Sequence, residues 1–211
     1  MPALSADEAL ERLRQGNARF VTNQSERGAT GARRADLIAG QNPFAIVLGC
    51  SDSRVPLELV FDQGFGDLFV IRVAGNIVAP SLVGSVEFAA ERFGTRLVVV
   101  LGHTQCGAIL ATLEELRRPT EIQSRNLRSI VDRVRPSVEG LLGAGYDAET
   151  LVQHAVRANI RASADHLRHG SEVLERLIQT DGLLVVGAEY SLETGAVDFF
   201  DGLGRNPHTM A

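Results

Sequence analysis

Four short, mostly apolar runs, Phe44–Gly49, Leu68–Val73, Leu97–Gly102 and Leu183–Ala188, alternate with stretches of helical character. This alternation constrains the fold more than any other feature. A short apolar run is the pattern of a parallel strand buried on both faces. Strands that alternate with helices predict an open, mostly parallel α/β sheet of four strands flanked by helices. A fifth run, Val197–Asp201, follows the turn Glu193–Thr194–Gly195 and reads as an antiparallel edge strand. Helices are expected at Ser5–Val21, with Ser5 as cap and Glu8 three residues on, and at Arg33–Ala39 after a loose stretch Thr22–Thr30. Further helices are expected from about Pro56, at Ser81–Phe93 up to the stop at Gly94, and from the loop His103–Gly107 to about Arg117. Beyond them lie Thr120–Val138, Asp147–His169 and Glu172–Ile178. No repeat or linker interrupts the chain, so residues 1–211 read as a single domain, with 1–30 as an N-terminal helical arm that docks elsewhere.

Composition then removes whole classes of function. The apolar runs are far too short to cross a bilayer, so no membrane partner is expected. Asp7, Glu8 and Glu11 stand where an export signal would be basic and then apolar, which suggests a cytoplasmic protein. The net charge of −5 comes with no basic block, and nucleic acid is not expected as a partner. All 21 basic residues are arginines, so there is no lysine for a Schiff base and no P-loop lysine. No G-x-G-x-x-G follows a strand, which disfavours a dinucleotide site.

The chain has two cysteines, Cys50 and Cys106. Each falls in a polar loop directly after a strand, and such loops leave the same edge of a parallel sheet, where ligands gather. Cys50, His103 and Cys106 are three ligands suited to zinc, and Asp52 stands two residues from the first. By spacing alone they fit a metal site and a pair of buried thiols beside a loop histidine equally well. Asp52 can reach a metal, or be held away from it by bidentate hydrogen bonds from Arg54. A Cys–His hydrolase with Cys50 or Cys106 as nucleophile is a further reading of the same residues.

Cys50–Ser51–Asp52–Ser53–Arg54 with Gly102–His103–Thr104–Gln105–Cys106–Gly107 resembles the paired signature of the β class of carbonic anhydrases. The likeness continues through Phe61–Gly64, Phe69–Asn76 and Gly84–Phe88 and covers nearly the whole chain. The resemblance implies that Cys50, His103 and Cys106 bind zinc. Asp52 then either pairs with Arg54, leaving water on zinc, or becomes the fourth ligand. It further implies reversible hydration of carbon dioxide to bicarbonate and a proton by zinc-bound hydroxide. Zinc acidifies bound water, as in the three-histidine carbonic anhydrases. Two thiolates donate more charge than imidazoles, so a higher working pH is expected here. Activity should climb through a transition above neutrality.

Other positions carry over one by one. The resemblance implies a substrate hydrogen bond from Gln41, pocket walls at Phe69 and Ala74, and an N–H from Gly107 to the bound anion. Phe88 stands where a neighbouring subunit contributes an aromatic, often tyrosine. At helical spacing Phe88 also lies nearly opposite the core stripe Leu82–Val86–Ala89–Ala90–Phe93, which suits an interface. A homodimer or dimer of dimers is therefore expected, with contacts that include Phe88 and the N-terminal helix. Some relatives hold a second bicarbonate with an arginine at Arg72 and a tryptophan at the position of Val47. This chain has no tryptophan. His154, His166 and His169 read as solvated surface, and Tyr190 as a packed aromatic. Competing readings are a carbonyl sulfide or carbon disulfide hydrolase on the same zinc, and a non-catalytic zinc- or anion-binding module.

Overall fold

The computed structural model describes residues 4–26, 31–118 and 124–204. The chain opens with α1 (Ala6–Val21) and α2 (Gly31–Asp36), then β1 (Ala45–Gly49), α3 (Leu57–Val60) and β2 (Leu68–Arg72). Next come α4 (Pro80–Arg92), β3 (Leu97–His103), α5 (Gly107–Arg117), α6 (Arg125–Val138), α7 (Ala148–His169) and α8 (Glu172–Thr180). The strands β4 (Leu184–Tyr190) and β5 (Val197–Asp201) close the sheet. Expected elements shift by a residue or a few at their ends. Residues 120–123, where a helical stretch was expected to begin, and 27–30 of the loose segment lie outside the described residues.

The sheet runs β2-β1-β3-β4-β5, with β1 to β4 parallel and β5 antiparallel to β4. That order places a topological switch point between β1 and β3, because the chain leaves β1 toward β2 on one side and returns on the other. Gly49 pairs with Leu101 at the carboxyl end of this crevice. Alternate side chains feed two cores. Ile46, Leu48, Val98, Val100 and Val185 face α4 to α8, whereas Val47, Leu97, Val99, Leu101 and Val186 face α1 and α3. Burial on both faces is the reason these strands read as continuous apolar runs.

The N-terminal helix does not project as a free arm. A capping box between Ser5 and Glu8 starts it, and its stripe Ala9, Leu10 and Leu13 is buried against its own chain. Asn17 fastens it: its amide donates to the carbonyls of Val60 and Gly195, and its Oδ1 accepts from the Val197 N–H. Close approach is possible because residue 16 is glycine; a Cβ there would fall 1.9 Å from the Phe61 carbonyl oxygen. Gly16→Ala is therefore expected to destabilise the fold by about 1–3 kcal/mol through overpacking. Helix propensity alone would stabilise that variant by about 1 kcal/mol. Urea denaturation of the two proteins decides between the signs.

Candidate active site

The site grows from the carboxyl ends of β1 and β3. Strand β1 delivers Cys50 one residue past its end; β3 ends on His103, and Cys106 caps α5. Gln105 takes φ 55°, which turns the loop sharply enough to present His103 and Cys106 together. The two sulfurs and a ring nitrogen of His103 lie within 4.8 Å of one another, although the sequence separates their loops widely. All three residues are buried. Among the described residues, no other group of three such side chains converges in this way.

The histidine shows what the cluster fits. His103 Nδ1 lies 2.9 Å from the Thr104 carbonyl oxygen, which holds the proton on that nitrogen and leaves Nε2 a free lone pair. Nε2 is buried and has no hydrogen-bond partner. An orphaned acceptor beside two thiols is the donor set of a tetrahedral zinc site, with the second ring nitrogen anchored to a backbone carbonyl. The residues present therefore fit a zinc ion.

Cys50 is the thiolate of the pair. The Cys106 thiol donates to it and draws it well below the ordinary thiol range, helped by the N–H groups of Asp52 and Gly75. Both N–H groups lie 3.4 Å from Cys50 Sγ. Cys106 is correspondingly pushed up, by its contact with Cys50 and by burial. Metal would take the proton's place, since both sulfurs bind as thiolates.

Asp52 stands at the rim of the cluster, held there by Arg54. Arg54 Nε and its backbone N–H both donate to Oδ1 at 2.9 Å, and Nη2 donates to Oδ2 at 2.8 Å. These bonds hold the Asp52 carboxyl well below the usual carboxylate range. The same Oδ2 lies 3.9 Å from His103 Nε2. Arg72, which the sequence left without a defined task, braces this loop from outside. Its Nε donates to the Cys50 carbonyl at 2.9 Å and its Nη2 to the Asp52 carbonyl at 2.7 Å.

The remaining expected residues are spread around this centre. Gly107 is the first residue of α5, where helix N–H groups lack intrahelical partners. Ala74 lines a pocket of about 490 Å³ with Ala108, Leu127 and Ile130. Phe69 packs its ring against Phe88 and Phe93, with centroids 6.2 and 6.1 Å away. Phe88 is 52% exposed, and Gln41 is exposed in the segment leading into β1. His154, His166 and His169 are exposed, and Tyr190 is buried against Phe20. The sequence reading missed two contributors, the Gly75 N–H on Cys50 and Asn159, whose amide holds the Gly75 carbonyl. Asn159 carried a signal: it is a polar residue on the apolar stripe of a long helix.

Comparison with known proteins decides the family. The solved β-carbonic anhydrase CcaA superposes with a TM-score of 0.72 at 27% identity, covering 94% of each chain. The family model described as "Carbonic anhydrase" matches residues 45–197, which include both cysteine loops. The chain belongs to the β-carbonic anhydrase family. Carbonic anhydrase 2 of Mycobacterium tuberculosis is 36% identical over 206 residues, 97% of this chain and 98% of that protein. The carbonic anhydrase of Mycolicibacterium smegmatis is 38% identical over 205 residues, again 97% and 98% of the two chains. The β-carbonic anhydrase is thus an enzyme whose general reaction is carbon dioxide hydration. No helix among its described residues is long and apolar enough to cross a membrane.

Proposed function

We propose that this β-carbonic anhydrase converts carbon dioxide and water reversibly to bicarbonate and a proton at a zinc ion held by Cys50, His103 and Cys106. The observation that carries this reading is the orphaned His103 Nε2 beside two thiols, with the nearby Asp52 carboxylate tied back to Arg54. Bound there, zinc supplies the Lewis acidity that lets water act as a nucleophile near neutral pH. Asp52 Oδ1 is saturated by two Arg54 bonds, whereas Oδ2 keeps acceptor capacity facing the cluster. With zinc bound, Oδ2 would accept a hydrogen bond from the water and so turn that water's free lone pair toward the substrate carbon. The Gly107 N–H stabilises the anionic product, and Phe69 and Ala74 contribute apolar side chains from two separate places around it. A site of two cysteines without a disulfide suits a reducing compartment such as the cytoplasm.

Gln41 supplies a hydrogen bond to the substrate, and Phe88 completes the pocket from a second copy of the chain. Exposed Phe88, tilted against Phe69 and edge-on to Phe93, forms an aromatic patch of the kind that marks interfaces. α1 has spent its apolar stripe on its own chain, so the Phe88 face carries the proposed contact. Sedimentation at micromolar concentration should show a dimer or a dimer of dimers; a fully active monomer would contradict this.

Stopped-flow hydration measured with zinc content on the same sample tests the function. Hydration that scales with zinc occupancy is expected. Turnover of carbonyl sulfide or carbon disulfide in place of carbon dioxide, or hydration by metal-free protein, would overturn it.

A further inference from the structure

The buried side of α7 is apolar at Leu151, Ala155, Val156, Ile160, Ala164 and Leu167, and Asn159 interrupts it at 2% exposure. A buried amide in such a stripe costs free energy unless it is hydrogen-bonded. The Asn159 Nδ2 donates to the carbonyl oxygen of Gly75 at 2.8 Å. Gly75 in turn donates its own N–H to Cys50 Sγ. The two bonds hold one residue from both ends.

Why that residue needs holding follows from its chemistry. Gly75 sits at φ 72°, which disfavours any side chain. A Cβ there would lie 3.0 Å from the Ala108 Cβ, so crowding adds to the requirement for glycine. The position thus accepts only the residue with the freest backbone. A bond to its carbonyl then limits the swing of this free residue from its far side.

We propose that Asn159 is a positioning residue for Cys50: by anchoring the Gly75 carbonyl it keeps the Gly75 N–H aimed at the Cys50 sulfur, and so limits the charge that sulfur gives to the metal. This rests on the reading of Cys50 as a metal ligand. An N–H aimed at a thiolate stabilises the sulfur lone pair, which raises the energy of sulfur-to-metal charge transfer. Partners one bond removed from the ligand typically alter metal affinity by about 10–100-fold.

The test uses full-length protein loaded with cobalt(II), read by its sulfur-to-cobalt charge-transfer absorption and by cobalt retention against a chelator. Asn159→Ala should move the band to longer wavelength, and should weaken retention on the order of tenfold because a loosened Gly75 turn no longer holds the Cys50 sulfur in place. Asn159→Gln should restore both, because Asn159 borders a cavity of about 690 Å³ with room for a longer amide. Ser163→Ala, one turn along the same helix, should leave the band in place. If the alanine variant does not fold, Asn159→Leu, which keeps the approximate size and has no donor, gives the same reading. An unshifted band and unchanged retention in variants at 159, even with lowered Tm, would show a purely structural role and overturn the proposal. Wild-type protein without a sulfur charge-transfer band would instead refute Cys50 as a ligand, so the two failures are distinguishable.

Discussion

Arg54→Ala is expected to lower carbon dioxide hydration by roughly 10–100-fold while zinc stays near one per chain. In the structure Arg54 supplies three donors to Asp52, two of them to Oδ1. Alanine keeps only the backbone N–H. Asp52 remains an anion at neutral pH without its partner, because the loss of the guanidinium only returns it toward the ordinary carboxylate range. A free carboxylate 3.9 Å from His103 Nε2 is then able to swing onto the metal and fill the position that water needs. The defect should ease as pH rises, since hydroxide competes with the carboxylate for that position. Zinc content and the rate profile between neutral and alkaline pH check this, and wild-type turnover across the range would contradict it. The sign for stability is opposite. A carboxyl with a depressed folded-state pKa contributes stability above its unfolded value and loses it as pH falls, so the Asp52–Arg54 pair weakens only in acid.

Cys106→Ala carries the other large effect. It removes one of three metal donors and also the thiol that draws Cys50 toward its thiolate form. Zinc should fall well below stoichiometry and hydration should drop to the level of metal-free protein. The fold should survive, because the ligands sit at the sheet's carboxyl edge while the two cores lie along its faces. Circular dichroism close to wild type with zinc lost is the expected pair of results; stoichiometric zinc in the variant would remove Cys106 from the ligand set.

Local patterning made most of this architecture readable. Phe44–Gly49 and Leu97–Gly102 announced themselves because burial on both faces demands uninterrupted apolar side chains, and the ends of β1 and β3 then placed Cys50 and His103 together. Ser5 and Glu8 marked the start of α1 because a capping box is a contact within four residues. What could not be read depends on long-range approach. Residue 16 gives no sign that a helix presses against Phe61 there, and the sequence left α1 as an arm because nothing local shows Asn17 reaching Gly195. Asn159 reaches Gly75 across 84 residues, so its partner appears only once α7 is laid on the turn after β2. Arg72 was visible as an arginine near the site, but its grip on the Cys50 and Asp52 carbonyls is a property of the folded loop.

The claim on which all of this depends is that two cysteine sulfurs and one histidine nitrogen hold a single zinc. X-ray absorption of the zinc-loaded protein at mildly alkaline pH tests it directly, because sulfur and nitrogen or oxygen shells separate by distance. The expected result is two sulfur scatterers at about 2.3 Å and two nitrogen or oxygen scatterers at about 2.0–2.1 Å per zinc. A shell with no sulfur, or with one sulfur per zinc, would contradict it.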